Sequence, residues 1–583
     1  MSAQAVPYRP AFSLREAWRG QVTRRLAAAG HVPDSLAHRP TPRETGSAAE
    51  ADAMARGHWV LAGRAVKVER GEPWRVPPPS EGWAEALHGF GWLRHLRAAG
   101  GPASRSLARK LAQGWLARHG SRGGLAWRAA VTGDRLSAWA LSAPLLIENA
   151  EPTYRSALLR AMGVQARFLK RTAATESRPA RRLRAATGLI HAGLCLAGQD
   201  AALREGLRLF EEAADALSDG AGGVASRAPS DLLDLLERCA QLAADLEDAG
   251  RRDEAAPLRE RLARGAPVLR ALRLGDGGLA LMHGGRAGEA DRVNRLLVES
   301  GSRDAPPGDA MGALRLSAGR LVALMDAGDA PRGRLARTAH AGPLSLEVSI
   351  GRRRIFGNVG SGAHLDASWA DACRGAAAHA TLTLDGGVPG RFAKGRLVDA
   401  PRCTERAMEA DEDGIWALAA HDGWVASHGL VHYRRLFLSP DGTDLRGEDT
   451  LVLAEGGAKV LAKARAARKA PDGPPFAVRF HLPPDVAADV SGKAVLLTLP
   501  SGERWRLVQS GGRLALEDSV WLPREAGPKA TRQVVVNGMV GDEGACVRWA
   551  LKRLETEAEA RDFAPDAPPP DAEADPDAQP PGT

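Results

Sequence analysis

A chain of 583 residues is too long for a single core and should divide into two or three domains. Apolar residues make up 44% and charged residues 26%, an ordinary balance for a soluble globular protein. The net charge of +9 is the sum of +17 on the body and −8 on residues 555–583; such a body attracts polyanions, while the lack of zinc-finger spacing, an RNP motif or a basic recognition helix argues against nucleic acid.

Residues 1–82 are rich in proline, arginine and tryptophan and read as an arm and linker, with Trp59, Trp74 and Trp83 as anchors. No secretory core precedes them, and no run of about eighteen apolar residues predicts a transmembrane helix. Taken alone, the sequence therefore reads as cytoplasmic. Residues 83–330 carry a helical period: Leu203, Leu207, Phe210, Ala214 and Leu217, then Leu232, Leu236, Cys239, Ala243 and Leu246. Ser230 is expected to cap the helix beginning at Asp231. The pattern predicts a string of antiparallel helix pairs, an α-bundle or α/α toroid.

From residue 335 to 553 the period changes to two. Leu344, Leu346 and Val348 alternate with polar residues, and "RRLFLSPDGTDLRGEDTLVL" reads as two strands around Asp441-Gly442. Many short strands between turns predict an antiparallel β-sandwich. The tail, 554–583, is acidic and proline-rich and is expected to stay disordered. The five cysteines form no CxxC pair, so neither a zinc site nor a disulfide framework is indicated.

Helices followed by a sandwich, together with "AHAGPLSLEV", "IFGNVGSG", "RGAAAHATLTLDG", "HDGWVASHGLVHYRRLFL" and, in the helical half, "LHGFGWLRHL" and "GDRLSAWALSAPLL", resemble the heparinase II/III family of bacterial polysaccharide lyases. The resemblance implies an α/α toroid, an incomplete helical barrel, followed by a β-sandwich, with a cleft between them. It also implies β-elimination on a uronic-acid-containing acidic polysaccharide and work in the periplasm or cell envelope. That chemistry needs a neutraliser for the uronate carboxylate, a base for the adjacent proton, and an acid for the leaving oxygen.

Carried over by the resemblance, His340 and His379 are the candidate catalytic residues. Arg374, five residues before His379, is a candidate partner for a uronate. Two probable zinc ligands of the metal-binding members are missing at Gly342-Pro343 and Asn358, so no metal or other cofactor is expected. The family's toroid Asn-His pair falls on Ala180-Arg181, which makes Arg181 a candidate carboxylate clamp, and its tyrosine falls on Asp231. Arg135 and Trp139, four apart on one helix, are candidate contacts to a sugar ring. His191 reads as a core histidine, and Tyr433 as a packing residue in a strand. Two other readings stay open. One is a catalytically inactive carbohydrate-binding protein on the same scaffold; the other is a glycoside hydrolase using Asp134 and Asp231.

Overall fold

The computed structural model describes residues 14–69, 72–303, 308–468, 473–492, 494–522 and 527–554. The acidic tail beyond them lies outside the described residues. The chain folds as a helical toroid followed by antiparallel sheets.

The arm contributes a helix, Ala48–Ala55, and a hairpin, His58–Leu61 with Arg64–Lys67. Trp59 and Trp83 are fully buried and Trp74 stacks on Phe90, so the arm belongs to the same core as the helices. That core forms because apolar residues recur every three to four positions. In Asp200–Leu217 the buried stripe is Ala202, Leu203, Gly206, Leu209, Phe210, Ala213 and Ala214. Two helices near the junction, Ala129–Leu141 and Pro179–Cys195, cross at a pair of glycines. A Cβ on Gly188 would lie 2.4 Å from the Gly133 Cα, so only glycine permits this approach. The crossing sets Asp134 beside Arg184 and Ser137 beside His191. Ser230 does not cap its helix: Pro229 opens it at N1, and Ala228 is the N-cap. A proline at N1 has the required φ and no N–H to satisfy, so the helix starts before Ser230.

The sandwich holds three sheets around one core: five strands from Asp309 to Phe356, four strands, and eight strands. The Asp441-Gly442 turn joins Leu430–Leu438 to Asp444–Leu453 as expected, with Gly442 at φ +72° and the Asp441 carboxylate accepting from Ser439 and Thr443. One expected half-exposed strand is different. Leu346–Ile350 is buried on both faces, because its polar side turns to the helical half. There Ser349 Oγ accepts from the Gly275 N–H at 2.8 Å, while Glu347 takes the Leu281 N–H and the buried Arg354. Burial pushes the Glu347 carboxyl up to about 7, against the pull of Arg354.

Deeper in the sandwich, Arg434 and Asp449 form a pair with no solvent exposure. Arg434 Nη1 donates to the carbonyls of Leu344 at 2.7 Å and Ala380 at 2.8 Å. Asp449 also receives Trp549 Nε1 and faces His432 Nε2. A buried pair of this kind costs most when one partner is left alone. Asp449→Ala should therefore lower unfolding free energy by about 3–5 kcal/mol in urea titrations. Arg434→Met with Asp449→Leu should recover part of that loss, because it removes both charges.

Candidate functional site

The linker from Leu274 to Gly288 runs between the helical half and the sandwich, and the candidate site is built around it. Arg227 stands in the break between Asp200–Leu217 and Pro229–Asp248 with φ at +53°. Its guanidinium enters the sandwich and donates to the carbonyls of Met311 at 2.7 Å, Asp329 at 3.0 Å and Gly328 at 3.1 Å, and pairs with Asp326. Asp326 is fully buried, yet Arg227 and His283 hold its carboxyl well below the usual range.

His283 Nδ1 accepts the backbone N–H of His340 at 3.3 Å, so Nε2 carries the ring hydrogen and donates to Asp326 at 3.2 Å. Arg227 Nη1, 2.9 Å from that Nε2, directs its hydrogens to the two carbonyls of Gly328 and Asp329. His379 Nδ1 donates to the Gly375 carbonyl at 2.8 Å, which leaves His379 Nε2 as an acceptor. His340 Nδ1 lies 3.0 Å from it and donates. The order of donors therefore ends on His340 Nε2, which carries a bare lone pair and has no hydrogen-bond partner in the protein. That nitrogen faces Gly284, where a Cβ would stand 3.4 Å away.

The two rings are buried as wholes. His340 is 5% exposed and His379 3%. Desolvation, with His379, His283 and Arg374 nearby, pushes His340 well below the usual imidazole value, and burial lowers His379 to about 4. Both rings are neutral at pH 7. Gly342 packs so closely on His379 that a Cβ there would lie 2.4 Å from the ring, so no side chain fits at that position.

The structure thus brings His340 and His379 together and adds three residues that the sequence did not single out, Arg227, His283 and Asp326. Their signal is weak: Arg227 lies in a glycine- and serine-rich break and His283 in a "MHGG" turn, and only folding sets them opposite Asp326.

The other expected site residues have different roles. Arg374 donates to the carbonyls of Ala336, Ala339 and Gly395 and lies over Phe392, so its fork braces loops and is not offered to a uronate. Arg135 is fully buried and bonds to Gln165, the carbonyls of His88 and Ala126, and Thr132, with its guanidinium 4.0 Å from the Trp115 ring centroid. Trp139 is likewise fully buried and packs edge-on to Phe90 and Trp115. Neither can touch a sugar, because the helix face they share is the core face.

Arg181 lies 3.2 Å from both Glu81 and Glu85, in a network with Arg128, Arg184 and Asp134 that already compensates its charge. A carboxylate ligand there would compete with two resident carboxylates. Asp134 is held by Arg184, and Asp231 accepts from Ser226 Oγ at 2.8 Å. His191 is a core histidine, between Ser137 Oγ at 2.9 Å and Asp245 at 3.0 Å. Among the tyrosines, Tyr154 is buried in the helical core, Tyr433 alternates outward between buried His432 and Arg434, and Tyr8 lies outside the described residues.

The heparinase II/III-like C-terminal family matches residues 300–550. Over 557 residues, 92% of this chain and 94% of the relative, the chain is 30% identical to FtsZ-localized protein C of Caulobacter vibrioides (strain NA1000 / CB15N). The chain belongs to the heparinase II/III family. Its fold is similar to a crystal structure of heparinase III, with a TM-score of 0.67 at 12% identity over 93% of this chain and 90% of that one. It is also similar to the heparan sulfate lyase HepC of Pedobacter heparinus, at 0.55 and 14% over 92% and 88%. His340 and His379 are in contact here, whereas Arg181 in the helical half is held in ion pairs.

The sealed imidazoles make stability depend on pH. In the unfolded chain His379 takes up a proton near its ordinary 6.5, and in the fold only near 4. Between these values the unfolded state binds more protons, so stability is full above about pH 6.5 and falls as pH drops towards 4. Urea midpoints should decline over that window. His379→Gln should flatten the decline only in part, because His283, His340, His421 and His481 are among the other histidines lowered by burial.

Proposed function

We propose that this chain is a non-catalytic member of the heparinase II/III family, a binding protein on a lyase scaffold, working in the cytoplasm in association with FtsZ. The observation that carries this reading is the incomplete proton-transfer set. His340 offers a bare nitrogen on a mostly buried ring, but no tyrosine among the described residues bonds or stacks with it. The cation at the toroid position, Arg181, is spent on Glu81 and Glu85. Elimination needs all three roles at once, since the proton beside a uronate carboxylate leaves only when the carboxylate is neutralised and the leaving oxygen is protonated. The cytoplasmic and FtsZ parts are supported by the name of the Caulobacter relative, FtsZ-localized protein C. No described helix is long and apolar enough to cross a membrane.

A second reading, β-elimination on an acidic polysaccharide with His340 as base and His379 orienting it, is favoured by one observation: the tautomer order that leaves His340 Nε2 unprotonated.

The two readings separate in one pair of assays. Purified protein is incubated with a panel of uronate polysaccharides, and the ultraviolet absorbance of an unsaturated uronate is followed. The same preparation is spun with FtsZ polymers. No rise in absorbance and saturable co-pelleting are expected. A rise that disappears in His340→Ala would establish the lyase and overturn the proposal, as would a lack of any co-pelleting.

A further inference from the structure

Beside the loop carrying Gly284, the linker and the sandwich leave a cavity of about 220 Å³ bordered by Gly285, Arg286 and Ser361. Its charge is unbalanced. Arginines 286, 352, 353 and 354 meet only two carboxylates in the wall, Asp276 and Asp485. Arg354 is consumed at the base by Asp276 and Glu347. Arg353 reaches Asp485 only at 3.4 Å, with both side chains about half exposed, and Arg286 reaches Asp234 at 3.1 Å in similar exposure. Among the described residues Arg352 has no ion-pair or hydrogen-bond partner. It stands next to Arg353 because Gly351, at φ +53°, turns the hairpin between Leu346–Ile350 and Arg353–Phe356.

The opposite wall is of another kind. Trp521 ends its strand with no ring partner and no hydrogen bond from its indole among the described residues, and Leu281 and Leu522 continue the apolar surface. His364 also borders the cavity, and its Nε2 is a buried atom without a hydrogen-bond partner.

We propose that this cavity binds one sugar ring bearing a phosphate group, with Arg352 and Arg353 on the phosphate and Trp521 on the ring face. The two guanidiniums with little or no compensation suit a dianion and its oxygens. An indole face beside leucines suits the C–H face of a pyranose. The cavity is below the size of drug-sized ligand sites, which begin at about 300 Å³, so it takes one ring and not a polymer. The proposal makes no use of His340 or His379 and stands whether or not the chain eliminates.

Calorimetry on the full chain tests it, with glucose-6-phosphate as the probe and glucose, inorganic phosphate and glucuronate as comparators. Glucose-6-phosphate should bind more tightly than any comparator. Arg352→Ala, in an exposed turn, should weaken it by about tenfold or more. Trp521→Ala should weaken glucose-6-phosphate to a similar degree and leave inorganic phosphate unchanged. An unshifted thermal midpoint in each variant would tie these losses to the site. Three results would each overturn the proposal: no saturable heat up to about 10 mM, binding that neither substitution changes, or glucuronate or phosphate binding as tightly as the sugar phosphate.

Discussion

Arg227 and Asp326 meet between the two halves of the molecule, and the geometry of the candidate site hangs on that contact. The arginine comes from a break between toroid helices and the aspartate from the end of Leu321–Asp326. Each would be costly to bury alone, so each holds the other's half in place. Two glycines make room for the guanidinium: a Cβ on Gly328 or Gly312 would come within 3 Å of it. The left-handed backbone at Arg227 costs about 1 kcal/mol or more, a strain the carbonyls of Met311, Gly328 and Asp329 help to offset. Asp326 then fixes the tautomer of His283, and His283 receives the backbone of His340. The position of one imidazole is thus an indirect consequence of how the helices dock.

A second anchor lies within the sandwich. Arg434 holds the Leu344 and Ala380 carbonyls, one on each histidine-bearing segment, and Asn358 accepts the Ala380 N–H at 3.1 Å. Polar residues that alternate along Leu346–Ile350 complete the docking surface with the linker. The pattern of period two usually means a core face and a solvent face. Here the polar face is an internal seam, with Glu347, Arg354 and Asp276 paired along it.

The fold was legible in the sequence because its two periods differ. Helical spacing of Leu203 and Phe210 and alternation about Asp441-Gly442 are local properties, and both strand pair and helix form where those residues indicate. The site was less legible. His340 and His379 stand out only through the family resemblance, and their mutual contact fits it. Arg135, Trp139, Arg181 and Arg374 carried the chemistry of sugar binding in their residue types. Sequence does not state which carbonyls or carboxylates will face a guanidinium, and in each case the protein itself supplies the partners. Arg227 and Asp326 are ninety-nine positions apart, and no local pattern links them.

The presence of two sandwich histidines is compatible with catalysis and with its loss, and their surroundings weigh the two. A base that takes a weakly acidic proton works best with a conjugate acid near the operating pH. Burial beside two other imidazoles and the Arg374 guanidinium moves His340 away from that condition. The same burial makes the pair structurally useful. His379 ties Gly375, the Ala341 N–H meets the Arg374 carbonyl at 2.8 Å, and Thr381 Oγ1 donates to the Pro343 carbonyl at 2.6 Å. The segments at 339–343 and 374–381 are stitched together through these bonds, with the imidazoles among the stitches. A lyase scaffold that no longer turns over substrate would still need both rings to keep its sandwich closed against the toroid.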